Sequence, residues 1–144
     1  MWTLSSFDLF TLGMTIKGAW VYADALDVER MRKSLLVLSE MYPHLSGRYC
    51  EKEKSLIYDT SVPLQLEEID MKEYTATDLC GNGRLAWSLV KEYDIKGFKK
   101  GQTGPFSATI GRLKEGSILY VQCAHATMNG HSFYELIRQW GIAL

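Results

Sequence analysis

The apolar positions of this chain follow two periods. From Val28 onward, Met31, Leu35, Leu38 and Tyr42 recur at alternating steps of three and four residues. That spacing predicts one buried stripe on a helix over about 27–41. Asp27 is a suitable N-cap, because its carboxylate can accept from the free N–H groups of a first turn. Pro43 stops the helix. A second helical stripe, Phe133, Leu136, Ile137 and Trp140, predicts a helix near 131–140, with Ser132 and Glu135 read as its capping box.

Alternation predicts strands elsewhere. Met14, Ile16, Trp20 and Tyr22 share one face of a strand over 14–23, interrupted by Gly18. Short strands are expected near 46–51, 55–59 and 63–69. Residues 106–113 and 117–125 read as a hairpin around Lys114-Glu115-Gly116, where Gly116 can take positive φ. Ile118 to His125 is apolar on both faces apart from Gln122, which predicts a central strand. Gly81-Asn82-Gly83 marks a break, Leu85 to Tyr93 a short helix, and Gly97 to Pro105 a loop. The expected class is α/β, a mixed sheet with flanking helices. Residues 1–144 are expected to form one partial domain.

Composition narrows the function classes. With 16 Lys+Arg against 17 Asp+Glu, the net charge is −1, which argues against nucleic acid as a partner. Lys96, Lys99 and Lys100 read as a solvated loop. No apolar run is long enough for a membrane span, and the N-terminus lacks a secretory pattern. Cys50, Cys80 and Cys123 form neither a metal motif nor a disulfide framework, so reduced, mostly buried thiols in a cytoplasmic protein are expected. Cys123, His125 and His131 have no recognised ligand spacing, and no metal site is expected. His44 is read as solvated.

His125 is the main candidate for chemistry. Its imidazole has a reference pKa of about 6.5, suited to a general base, and it ends the central strand just before a turn. From position alone, a buried histidine that only bonds a neighbouring carbonyl is the favoured reading. His125-Ala126-Thr127-Met128-Asn129-Gly130 resembles the H-x-x-x-D-G motif of the BAHD-type acyl-CoA-dependent acyltransferases. Leu4-Ser5-Ser6-Phe7-Asp8, Ala19-Trp20-Val21-Tyr22, Tyr42-Pro43-His44-Leu45-Ser46-Gly47-Arg48 and Gly104-Pro105-Phe106 resemble further segments of that family, in order.

The resemblance implies the N-terminal lobe of a chloramphenicol acetyltransferase-like two-lobe fold. It implies His125 as general base, Asn129 and Gly130 as structural motif residues, and acyl-CoA as co-substrate with no tightly bound cofactor. The acceptor would be a small alcohol or amine. Cys123 needs no catalytic role. In the family an Asp stands where this chain has Asn129, and that Asp pairs with an arginine. The family's second lobe, with its D-F-G-W-G segment, is not in these residues. The isolated lobe is therefore expected to be weakly active and to associate through an exposed apolar face. Two alternatives stay open. Condensation domains share the lobe but usually carry a second histidine where this chain has Ala124. A degenerate, non-catalytic homologue would act as a binding module.

Overall fold

A computed structural model describes residues 2–59 and 63–143. Its centre is a four-stranded mixed sheet in the order β2-β7-β6-β5. The strands are β2 (Thr15–Tyr22), β5 (Leu66–Met71), β6 (Phe106–Leu113) and β7 (Ser117–Ala124). β7 runs antiparallel to both neighbours, while β5 lies parallel to β6. All eight residues of β7 are buried, as a central strand requires. The hairpin turns through Gly116 at φ +90°, where a Cβ would come within 2.2 Å of the Tyr22 carbonyl oxygen. In β2, Ile16 and Trp20 pack on the core, and the Trp20 indole lies over Gly18, where a Cβ would meet it at 2.6 Å. The break in the alternation is the space that ring needs.

Two long helices cover one face. α2 (Val28–Met41) buries Val28, Met31, Leu35 and Leu38, and Asp27 caps it by accepting from the Arg30 N–H at 3.1 Å. α6 (Gly130–Ala143) buries Phe133, Leu136 and Trp140. The helices are tied together where Trp140 Nε1 donates to Ser34 Oγ at 2.7 Å. The opposite face is covered by the crossover from β5 to β6, whose α3 (Ala76–Leu79) and α4 (Gly83–Ser88) pack there, while its α5 (Ile95–Lys99) packs toward β3. Tyr120 and Gln122 on β7 anchor this cover. The Tyr120 hydroxyl donates to the Ala86 carbonyl at 2.7 Å, and Gln122 bonds the backbone of Lys91 and Tyr93.

A second, three-stranded sheet has the order β1-β4-β3, from β1 (Trp2–Thr3), β3 (Gly47–Cys50) and β4 (Ser55–Tyr58). With α1 (Ser6–Phe10) it encloses a smaller core of Leu4, Tyr49, Leu56, Phe98, Ala124 and Ala126. The strands expected near 46–51 and 55–59 therefore belong to a separate sheet.

Several expectations are corrected. Residues 97–105 are not wholly loop: α5 spans Ile95–Lys99, capped by Asp94, whose carboxylate accepts from the Gly97 N–H at 2.9 Å. Lys96, Lys99 and Lys100 are exposed, as expected, but the first two lie on this helix. The helix expected over 85–93 is α4, one turn earlier, because Asn82 caps it at the Leu85 N–H. Of the three cysteines only Cys123 is buried; all are free thiols. No helix among the described residues is long and apolar enough to cross a membrane.

Candidate active site at the end of the central strand

His125 follows β7 directly and opens a short 3-10 turn over His125–Thr127. Three bonds define this turn. The His125 N–H donates to the Met14 carbonyl at 2.8 Å, which clamps the turn to the start of β2. The Thr127 hydroxyl donates to the Ala124 carbonyl at 2.7 Å, and the Met128 N–H donates to the His125 carbonyl at 3.2 Å. Packing holds the turn on both sides. Cys123 and Met128 lie in the large core, and Ala124 and Ala126 in the small one.

The imidazole itself is half-buried. Its Nδ1 is enclosed and has no hydrogen-bond partner among the described residues. Nε2 is not among the enclosed unpartnered atoms. α1 packs against the same turn, and its Phe7 and Phe10 are exposed, as is Met14. The histidine thus sits on a rigid mount beside exposed apolar side chains. Sequence periodicity missed α1, although Ser5-x-x-Asp8 is a capping box. The Ser5 hydroxyl accepts from the Asp8 N–H at 3.1 Å, and the Asp8 carboxylate accepts from the Ser5 N–H at 2.9 Å.

Asn129 is exposed and is the true N-cap of α6. Its Oδ1 accepts from the Ser132 N–H at 2.9 Å, and its carbonyl accepts from the Phe133 N–H at 2.9 Å. The expected Ser132–Glu135 box is not formed. Glu135 instead binds Arg138 and Gln139, which hold its carboxyl down at about 2. No arginine bonds Asn129 among the described residues. Gly130 is the first helical residue, with open space where a Cβ would stand.

Cys123 is fully buried, and burial pushes its thiol pKa up, so it remains a neutral core side chain. His131 is exposed. No group of three metal-ligating side chains occurs among the described residues. His44 is not solvated: its ring is half-buried against Trp2 and Tyr42, with centroids 4.4 and 6.1 Å away. Burial lowers its pKa to about 4.

No known family matches this chain, and no curated protein does. Solved structures do. The X-domain from teicoplanin biosynthesis is 16% identical with a TM-score of 0.74, the match covering 98% of this chain and 31% of that one. That X-domain is also known in a complex with OxyB. A variant of the starter condensation domain of rhizomide synthetase, in complex with C8-CoA, is 10% identical with a TM-score of 0.72, covering 99% and 34%. The epimerization domain from the third module of tyrocidine synthetase B is 14% identical with a TM-score of 0.71, covering 92% and 30%. The chain spans about a third of the length of these proteins. At such identities the likeness shows the fold: one lobe of a condensation-domain, chloramphenicol acetyltransferase-like architecture.

Proposed function

We propose that this chain is the histidine-bearing lobe of a thioester-dependent acyltransferase, with His125 as general base. The observation that carries the reading is the mount of His125: it follows the central strand directly, its backbone is clamped to β2, and the residue is only half-buried. In the reaction, the imidazole takes the proton of an acceptor hydroxyl or amine. The acceptor oxygen or nitrogen attacks the thioester carbonyl, and the tetrahedral adduct collapses with release of the thiol, which recovers a proton. A positioned base contributes about 10²–10⁴ in rate. No serine or cysteine nucleophile is required, which agrees with the inert position of Cys123.

Acyl-CoA is the favoured donor, and a fold neighbour holding C8-CoA supports it. Fold neighbours from peptide synthetases support a condensation-type relation more strongly than the BAHD-type relation drawn from sequence motifs. The residue before His125 bears on the choice. Ala124 is fully buried in the small core, so a second histidine there would require that core to repack. In this reading the protein is cytoplasmic, and a second lobe or another copy closes the apolar side of the site at Phe7, Phe10 and Met14.

The test is transfer from C8-CoA, and from a carrier-bound octanoyl thioester, to amine and alcohol acceptors, with wild type and His125→Ala compared. Loss of transfer with unchanged C8-CoA binding supports the base. Equal transfer in both sinks it. A second reading, a non-catalytic module that binds a partner protein, draws on Asn129 in the place of Asp and on the OxyB complex of a fold neighbour. It predicts no turnover with either donor and no effect of His125→Ala on partner binding.

A further inference from the structure

A cavity of about 190 Å³ is lined in part by residues 91–94 and 102–104, and no residue of the His125 turn lines it. Two segments that acyl transfer leaves without a task meet there: Gly47-Arg48 and Gly104-Pro105-Phe106. Arg48 Nη1 lies so close to Gly104 that a Cβ on that glycine would come within 2.7 Å of it. Glycine therefore lets the guanidinium rest on this backbone. Nη1 donates to the Gly47 carbonyl at 3.0 Å, and Arg48 makes no ion pair among the described residues. A guanidinium carries five N–H donors in a planar fork, so most of its binding capacity is unspent. Ser46 lines the same cavity, is only 2% exposed, and its hydroxyl has no hydrogen-bond partner. A buried hydroxyl without a protein partner is an exception that a ligand group or a water would satisfy.

The surroundings say which ligand. Asp94 is already committed, to the Gly97 N–H at 2.9 Å and the Thr103 hydroxyl at 3.4 Å. Asp94 keeps its charge, and with Glu67 and Glu92, all exposed, it outweighs Lys91 and opposes a doubly charged anion. Leu45, Leu64 and Phe106 give it apolar wall. The roof is pinned: the Tyr93 N–H donates to Gln122 Oε1 at 3.0 Å, and the Tyr93 hydroxyl donates to the Gly104 carbonyl at 2.6 Å. The space is therefore preformed, as ligand cavities usually are.

We propose that this cavity binds a small monocarboxylate, its carboxylate on the Arg48 fork and its short alkyl tail against Leu45, Leu64 and Phe106. Ser46 supplies a further donor to the carboxylate. The site is separate from His125 and does not depend on the acyl-transfer reading. The test is an NMR titration of the 144-residue chain with sodium butyrate and, separately, inorganic phosphate. Butyrate should give saturable shifts of the Arg48 Nε–H and Gly104 amide signals, and phosphate should not. Arg48→Gln should abolish binding, Ser46→Ala should weaken it several-fold, and His125→Ala should leave it unchanged. Arg48→Lys keeps the charge without the fork, and should bind butyrate more weakly than wild type while folding normally. Absence of saturable butyrate shifts, their survival in Arg48→Gln, or an equal response to phosphate would overturn the proposal.

Discussion

Two of the three hydrophobic clusters among the described residues are built in different ways. The large core sets long elements face to face: the four-stranded sheet against α2 and α6, closed by Trp140 on Ser34 and Phe106. The small core gathers Leu4, Tyr49, Leu56, Phe98, Ala124 and Ala126 from short segments far apart in sequence. His125 lies where they meet, with Cys123 and Met128 in one and Ala124 and Ala126 in the other. The position of the proposed base therefore depends on the less regular region as much as on the regular one. Short elements lose much chain entropy for few contacts, so the small core is where the site is most easily loosened.

The largest expected effect is on chemistry. In a form of the protein that transfers acyl groups, His125→Ala should reduce the rate by about 10²–10⁴. C8-CoA affinity, measured by calorimetry, should hold. Core substitutions sharpen the comparison. Leu38 in the large core and Leu56 in the small one are both fully buried. Replacing either by alanine should cost about 2–5 kcal/mol. Denaturant melts should show both losses, but the His125 ring signals in NMR should move more in Leu56→Ala, because the small core that holds Ala124 and Ala126 is the less regular support. A moved ring in Leu38→Ala alone would reverse the assignment of the two regions.

Legibility in the sequence divides along the same line. The stripe of α2, the Asp27 cap, the β6–β7 hairpin and the burial of β7 follow from period and turn chemistry that act within a dozen residues. His125 at a strand end was legible for the same reason. The small core was not, because no single segment of it carries a period. β3 and β4 contribute two buried residues each and α1 only the half-buried Leu9, and only their meeting makes a core. α1 did leave a local trace, Ser5-x-x-Asp8, as α3 did in Thr75-x-x-Asp78, where the two side chains also cap reciprocally. The Ser132–Glu135 pair has the same spacing but lies one turn too late, because Asn129 already caps the helix. Arg48, Ser46 and Gly104 were legible as parts of motifs, yet nothing in their spacing shows that they share a cavity.

His44 offers a pH test of the small sheet's edge. Its ring packs on Trp2 of β1 and on Tyr42, and no carboxylate among the described residues contributes to its shift. Burial lowers its pKa from 6.5 to about 4. Between those values the unfolded chain binds more protons than the folded one, so stability falls as pH drops through that window. The His44 contribution is fully present above pH 6.5, declines below it, and changes no further below about pH 4. Water screens a half-exposed ring, so the swing should be on the order of 1–2 kcal/mol. His44→Phe should flatten the difference in urea midpoints between pH 7 and pH 4.5 relative to wild type. An unchanged slope would mean that the ring is wetter than its aromatic packing implies.

The smallest effects concern the junction between the His125 turn and α6. Asn129→Ala removes the Oδ1 acceptor of the Ser132 N–H and should cost about 1 kcal/mol. Ser132→Ala should stay within about 0.5 kcal/mol, because the Ser132 hydroxyl makes no hydrogen bond among the described residues. The reverse ranking would restore the Ser132–Glu135 box and move the helix start by one turn. Asn129→Asp is the more informative change. The carboxylate keeps an acceptor for the Ser132 N–H and places negative charge at the positive end of the helix dipole, worth about 0.3–1 kcal/mol. Asn129 is exposed, so the new charge loses little hydration and needs no buried arginine to balance it. Stability should therefore hold or rise slightly, with transfer unchanged. This would make Asn129 an acceptable replacement for the motif aspartate in this lobe, where its task is capping. A marked loss of stability in Asn129→Asp would show instead that residue 129 faces a low-dielectric or acidic surface in the working protein, and the capping account of the motif would fail.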